Sequence, residues 1–252
     1  MDLGGNLQPS FAHFASLMAW WEEAGVDTLV EEAPRDWLAP RPGAAAMPIG
    51  ATARPSASAA AAGAAAGAVV PFPDRFETFQ AWLATSDDIA LPLSARVAPT
   101  GDPGSGLMVL VDLPEAGDAA AGRLLTGAAG ELFDKMIAAM GRDRRSLYLA
   151  AMAPARPAGG YVDNAAGALF GRLARHHVGL ARPRALLLMG EQPSRTFLGL
   201  GFVEARGRVH EIDVDGHAMS AVATFHPRTL LQHPQQKRRA WEDLQLLMKL
   251  LG

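Results

Sequence analysis

The chain has 252 residues, of which 49% are hydrophobic and 19% are charged, so one globular α/β domain with additional segments is expected. Its net charge of -3 excludes a global positive field, and any contact with DNA therefore depends on a local basic patch. The absence of cysteine excludes disulfides, thiolate-bound metals and cysteine-bound clusters, so no metal and no cofactor is predicted. The N-terminal residues do not resemble a secretory signal and no run suits a membrane, which predicts a cytoplasmic protein without membrane contact.

Residues 1–40 form a segment that is predicted to bind a protein partner. Its apolar residues recur at helical spacing from about Ser10 onward, and Gly25 is a natural helix stop. A segment this short cannot bury its own aromatic side chains, so it either folds back on the main domain or docks on a partner as an amphipathic helix. The candidate partner-binding residues are Phe14, Trp20, Trp21 and Trp37. Residues 41–73 consist largely of Ala, Pro, Gly and Ser and are predicted to be a flexible linker.

Residues 74–252 alternate strands and helices, which predicts a three-layer α/β/α domain with a central, mostly parallel sheet. The predicted helices are 76–85, 130–140, 164–177, 193–198 and 235–251, and the predicted strands are 107–111, 146–151, 185–189, 209–214 and 217–223. Asp215-Gly216, between the last two strands, is typical of a type I′ hairpin turn. Ligands of such sheets bind at the carboxyl ends of the strands, so the residues just after each strand are the functional candidates.

Four segments in this region carry the residues of interest. VDLPE (111–115), ARPAGG (155–160) and FHPRTLL (225–231) follow strands, and KRRAWEDL (237–244) belongs to the last helix. The order and spacing of these segments resemble family 4 of the uracil-DNA glycosylases, from about residue 77 to the C-terminus. The resemblance implies the fold of that family and a role in which DNA is contacted.

The resemblance is partial at the positions that act on uracil in the family. Asp112 keeps a carboxylate where the family orients the attacking water, and His226 stands where a donor stabilises the departing uracil anion. Glu115 replaces one of the two glycines of the first motif, and Val111 replaces the other. The position of the phenylalanine that stacks on uracil holds Leu125.

Ala151 stands where the family has the asparagine that forms hydrogen bonds to the edge of uracil. Its absence removes the contacts by which the family selects uracil. The four cluster cysteines of the family are also absent. The resemblance implies a base pocket formed by Pro114, Leu125 and Ala151. It also implies DNA contacts from Arg156, Pro227, Arg228, Lys237 and Arg238.

Each of these residues has a structural alternative. Asp112 follows a strand, where aspartate commonly caps a turn, and the ring of His226 can bond a neighbouring carbonyl. The basic run 237–239 is equally typical of a solvated helix face, although residues 226–252 have an excess of basic residues. His176 and His177 are predicted at a helix C-terminus, where the helix dipole explains them.

The altered motifs favour a catalytically degenerate protein that acts by binding protein, DNA or both in DNA replication or repair. The Trp-bearing N-terminal segment and the degenerate core also resemble the psi subunit of the bacterial DNA polymerase III clamp loader, which implies a clamp-loader component as the partner of residues 10–42. An active, cluster-free glycosylase that uses Asp112 and His226 on uracil or another damaged base is the alternative. A base-sensing module without a DNA role is a third hypothesis.

Overall fold

The centre of the fold is a sheet of six strands, two of which are buried along their whole length. The computed structural model describes residues 71–252. The strands are β1 (Thr100–Gly101), β2 (Leu107–Val111), β3 (Tyr148–Ala151), β4 (Ala185–Met189), β5 (Val209–Val214) and β6 (His217–Thr224). The helices are α1 (Phe76–Thr85), α2 (Asp118–Ala121), α3 (Gly127–Ala139), α4 (Asn164–Ala181), α5 (Glu191–Leu198), α6 (Phe202–Ala205), α7 (Pro227–Gln232) and α8 (Lys237–Leu251).

The strands lie in the order β1-β3-β2-β4-β6-β5. The four inner strands pair in parallel, whereas β1 and β5 pair antiparallel at the two edges. Every residue of β2 and β4 is buried, as expected for central parallel strands with both faces covered. The prediction of a mostly parallel central sheet is confirmed.

Helices cover both faces of this sheet and produce two separate cores. On one face, Val109 of β2 packs in a cluster with Phe133 of α3 and Leu247 of α8. On the other face, Leu110 packs in a cluster with Phe79 of α1 and residues of α4. Successive residues of β2 thus enter opposite cores, which is the two-residue period of a strand.

The predicted elements are present with shifted bounds. Three helices predicted at 130–140, 193–198 and 235–251 span Gly127–Ala139, Glu191–Leu198 and Lys237–Leu251. The strand predicted at 146–151 begins at Tyr148. The hairpin prediction is confirmed, because Asp215 and Gly216 have φ values of 53° and 78°, as a type I′ turn requires.

The helix predicted at 164–177 is longer than expected, and this corrects the interpretation of two histidines. It continues to Ala181, and Arg182 ends it with a φ of 46°. His176 and His177 therefore lie inside the helix rather than at its C-terminus. His177 is buried, and burial lowers its pKa to about 4, so interaction of a charged ring with the helix dipole does not explain it.

The predicted N-terminal segment and the linker as far as residue 70 lie outside the described residues, and so do Phe14, Trp20, Trp21 and Trp37. Within residues 71–252, no helix is both long and apolar enough to cross a membrane.

Candidate functional site

The loops that follow β2 and β6 meet at one edge of the sheet and carry the candidate site. Asp112 comes directly after β2, and His226 follows β6 and caps the N-terminus of α7. Because β2, β4 and β6 run parallel, their carboxyl ends lie at the same edge. The topology therefore brings together two residues that are more than a hundred positions apart in the sequence.

Arg228 joins the two loops by an ion pair with each of two carboxylates. Its Nη2 donates to Asp112 Oδ2, and its Nη1 donates to Glu115 Oε1 at 3.2 Å. The arginine side chain is about one-third exposed, and both carboxylates are less so. One guanidinium thus pairs with two carboxylates, and Oδ2 of Asp112 is occupied by this ion pair.

His226 has a buried donor that lacks a partner. Its Nδ1 accepts the backbone N–H of Arg228 at 3.2 Å, so the neutral ring carries its proton on Nε2. The residue is 1% exposed, and Nε2 has no hydrogen-bond partner among the described residues. Glu115 Oε1 lies 3.7 Å from Nε2, too far for a good hydrogen bond. Burial, and secondarily Arg228, lowers the pKa of His226 to about 4, which keeps the ring neutral near pH 7.

The alternative in which His226 only bonds a neighbouring carbonyl is wrong, because its ring accepts an N–H at Nδ1. The alternative in which Asp112 caps a turn after its strand is partly supported. Its Oδ1 accepts the backbone N–H of Leu113 at 2.8 Å while the other oxygen pairs with Arg228.

Asp118 shapes the loop that carries Glu115, and the sequence argument missed it. The side chain is fully buried in α2 and accepts three backbone N–H groups, from Glu115 at 2.8 Å, Leu125 at 2.9 Å and Thr126 at 2.8 Å. It also accepts the hydroxyl of Thr126 at 2.6 Å. The signal in the sequence is an aspartate within a segment of small residues, EAGDAAAG, which turns on itself and leaves N–H groups that need an acceptor.

Leu125 has a constrained backbone and a buried side chain. Its φ is 53°, an unusual value for a residue with a Cβ, and it belongs to the core cluster between the sheet and α3. Arg144 donates to its carbonyl at 2.7 Å, and a Cβ at Gly130 would collide with the same carbonyl. The glycine therefore permits the close approach of α3 to this loop.

The three predicted pocket residues do not line one cavity. Pro114 lines a cleft of about 400 Å³ together with Glu115, Arg156 and Gly160. Ala151 lines a separate cavity of about 180 Å³ that also contacts α1 and α4. Leu125 lines neither of these two cavities.

The predicted DNA-contacting residues fall into three groups. Arg156 lines the cleft, and its Nη1 donates to the carbonyl of Pro114 at 3.1 Å. Pro227 is buried at the start of α7, and Arg228 is engaged by Asp112 and Glu115.

The third group lies on the first turn of α8. Lys237 and Arg238 are exposed there, and Arg238 pairs with Glu242 at 3.3 Å. A pair this exposed contributes little and leaves the guanidinium accessible to other anions.

The residues present do not fit the iron–sulfur cluster of the resembled family. The chain has no cysteine to supply thiolate ligands. The described residues also contain no group of three or more His, Asp or Glu side chains that could hold a metal ion.

Comparison with known proteins gives the same family as the motifs. The model of the uracil DNA glycosylase superfamily matches residues 98–245, more than half of the chain, so this chain belongs to that superfamily. It is similar to a type-4 uracil-DNA glycosylase of Pyrobaculum aerophilum, with 22% identity over 147 residues, 55% of this chain and 74% of that protein. It is also similar to the type-4 uracil-DNA glycosylase of Archaeoglobus fulgidus, with 24% identity over 143 residues, 52% of this chain and 69% of that protein. The resemblance identified in the motifs is confirmed.

Proposed function

We propose that this protein is a cytoplasmic DNA-binding member of the superfamily that acts in replication or repair without excising uracil. The observation that carries the proposal is the position of the Glu115 carboxylate. It lies 3.7 Å from His226 Nε2, a buried donor without a partner among the described residues, and Arg228 donates to it at 3.2 Å.

The chemistry of uracil release explains why that carboxylate matters. The C1′–N1 bond breaks with its electron pair on the base, so uracil leaves as an anion that needs a donor at its oxygen. In this site the donor faces a carboxylate. Two like charges about 4 Å apart repel by about 4 kcal/mol at an effective dielectric constant of about 20, although Arg228 offsets part of this repulsion. Because about 1.4 kcal/mol of barrier is a factor of ten in rate, even about one-third of that repulsion slows the reaction roughly tenfold.

The ion pair of Asp112 has a second consequence for catalysis. A carboxylate that is to orient or deprotonate water needs a free acceptor position facing the sugar. Here one oxygen pairs with Arg228 and the other accepts the N–H of Leu113. We infer that Asp112 holds the two loops together instead of positioning water.

Basic side chains that remain accessible support DNA binding. Lys237 and Arg238 are exposed on the first turn of α8, and Arg156 borders the cleft. Such contacts release counterions from DNA, so their contribution decreases with salt.

The proposal is tested by measuring DNA binding and uracil release on the same oligonucleotides. Fluorescence anisotropy at about 50 and about 200 mM salt should show binding that weakens with salt. K237A/R238A should weaken it about tenfold, whereas R145A, which removes a highly exposed arginine that does not line the cleft, should not. With enzyme in excess, single- and double-stranded DNA containing uracil should remain intact. Absence of DNA binding, or uracil release that disappears in H226A, would overturn the proposal.

The N-terminal segment belongs to the same proposal as the site of a protein partner. Residues 10–42 combine three tryptophans with acidic residues and precede an Ala- and Pro-rich stretch. This composition supports docking on a partner, with a clamp-loader component as the candidate. Co-purification of purified clamp-loader subunits with the full chain, and its loss in W20A/W21A, would support this part. Retention of the same amount of clamp-loader subunit by the full chain and by W20A/W21A would contradict it.

One observation favours an active, cluster-free glycosylase as the second candidate. A buried histidine donor without a partner is costly to leave unpaired, and such groups are common at functional sites. If Glu115 moves when DNA binds, His226 Nε2 becomes available to a leaving base. The uracil-release experiment with H226A separates the two candidates.

A further inference from the structure

We propose that the cleft between the loops after β2 and β3 binds single-stranded DNA, with Tyr161 as a platform on which an unpaired base stacks. This inference rests on the proposed function, because it requires the cleft to face DNA. It extends that function by specifying the form of DNA that is bound and the side chain that selects it.

Tyr161 is a large aromatic side chain that the fold leaves exposed. It is 78% exposed, although the residues that follow it are anchored. Val162 packs against the core cluster that includes Phe79 of α1, and Asp163 caps α4 by accepting the N–H of Ala166 at 2.8 Å. The backbone of Tyr161 is extended, so its side chain leaves on the side opposite to that of Val162. The ring is therefore presented to solvent from a fixed position.

The guanidinium of Arg156 lies against the residue that precedes this tyrosine. A Cβ at Gly160 would lie 2.7 Å from Arg156 Nη2, and the glycine, with a φ of 70°, permits this close approach. Nη1 of the same arginine donates to the Pro114 carbonyl at 3.1 Å. Arg156 forms no ion pair within the described part of the chain, so its charge is available to a phosphate group near the ring.

The cleft beside Arg156 has room for part of a nucleotide. Its volume is about 400 Å³, and small residues form much of its lining, namely Ala95, Ala116, Ala119, Gly159 and Gly160. Among the described residues that line it, the one carboxylate is that of Glu115, and Arg228 donates to this carboxylate at 3.2 Å. A sugar and its phosphate can therefore occupy the cleft while an adjacent base lies on Tyr161.

Stacking on a protein ring distinguishes single strands from duplexes. In a duplex the faces of each base are covered by the neighbouring base pairs, whereas an unpaired base can offer a face to Tyr161. Every base has such a face, so this contact selects the single-stranded form without selecting a sequence. Phosphate contacts from Lys237 and Arg238 are available to both forms of DNA, so these two side chains do not supply the preference.

The test is an anisotropy titration of one labelled oligonucleotide of about 12 nucleotides, alone and annealed to its complement, at about 50 mM salt. The full chain should bind the single strand about tenfold more tightly than the duplex. Y161A should weaken single-strand binding about tenfold and leave duplex binding unchanged. Y161F keeps the ring and should bind both forms as the unmodified protein does. V203A, which truncates another highly exposed side chain outside the cleft lining, should also retain the preference.

Salt separates stacking from the phosphate contacts. Because stacking releases no counterions, the effect of Y161A should also be about tenfold at about 200 mM salt, where all binding is weaker. An effect of Y161A that disappears at the higher salt would contradict stacking as its cause.

Three further outcomes would overturn the inference. Equal affinity of the unmodified protein for the single strand and the duplex would do so and leave the proposed DNA binding intact. A preference that persists in Y161A, or one that is lost in Y161F, would show that the ring is not the selecting group, provided that melting curves show folded variants. Binding to neither form of DNA would remove the proposed function and this inference with it.

Discussion

Two buried histidines, one in a core and one at the carboxyl edge of the sheet, show how differently one residue type is used in this fold. Burial lowers the pKa of His177 and of His226 to about 4, so both rings are neutral near pH 7. His177 Nε2 shares a hydrogen bond of 2.8 Å with the hydroxyl of Tyr148, which also accepts from Gln80 at 2.7 Å. His226 Nε2 has no partner in the described part of the chain.

The surroundings of the two rings explain the difference. His177 packs edge-on against Phe79 and Tyr148 in a core between the sheet and two helices. His226 caps a helix beside two carboxylates and an arginine at the carboxyl edge of the sheet. Burial and a lowered pKa alone therefore do not identify a functional histidine. The unpaired donor beside the carboxylate of Glu115 is what makes His226 the functional candidate.

The largest expected effect is on the free energy of unfolding, which should depend on pH through both histidines. Their folded-state pKa of about 4 lies below the ordinary value of 6.5, so the unfolded chain binds more protons between these values. The free energy of unfolding is therefore highest above pH 6.5, where both rings are neutral in the folded and the unfolded chain. It decreases as the pH falls toward 4, because only the unfolded chain gains protons at these two residues in that range. Together they should lower the free energy of unfolding by about 4 kcal/mol between pH 7 and pH 5, as measured by urea denaturation.

Single variants separate the two contributions. H177Q and H226N each remove one titrating ring, so each should abolish about half of the pH dependence. An unchanged pH dependence in either variant would show that its histidine is not held neutral in the folded protein.

A smaller effect is expected from Asp118, which holds the loop beside His226. D118A leaves three N–H groups, one of them buried and two partly buried, without their acceptor and should lower the free energy of unfolding by about 3 kcal/mol. E131A, at an exposed carboxylate on α3, should change it little. A change in D118A no larger than in E131A would mean that Asp118 does not organise the loop.

The smallest expected effect is at the partner of His177. Y148F removes the hydroxyl that links His177 to Gln80 and should cost about 1 kcal/mol of stability in thermal unfolding. DNA binding should be unchanged, because Tyr148 is the first residue of β3 and its hydroxyl is bonded to buried His177 rather than placed at the carboxyl edge of the sheet. Y161F, which alters a tyrosine that is 78% exposed, is the matched control. Weakened DNA binding in Y148F would contradict a purely structural role.

Patterns that are local in the sequence predicted much of the fold. The apolar runs LMVLV and ALLLM are the buried central strands, and Asp215-Gly216 marks the hairpin. Placing Asp112 and His226 after strands was sufficient to bring them to one edge, because parallel strands end on the same side.

Contacts between distant segments could not be predicted in the same way. The bond between Glu115 and Arg228 joins residues 113 positions apart, and its formation depends on rotamers that no local pattern specifies. The segment EAGDAAAG indicates that Asp118 accepts nearby N–H groups, but the sequence does not specify that two of them belong to Leu125 and Thr126. The end of α4 was placed four residues early, because Ala181 and Arg182 give no glycine or proline stop signal.

The measurement that tests the role of the Glu115 carboxylate most directly is uracil release by E115G and E115Q under single-turnover conditions. E115G restores the glycine of the resembled family, and E115Q removes only the charge. If the carboxylate opposes the departing anion at His226, both variants should release uracil at least tenfold above the background seen with the unmodified protein, and adding H226A to either variant should abolish this release. Release that is no faster in either variant would contradict this role of Glu115.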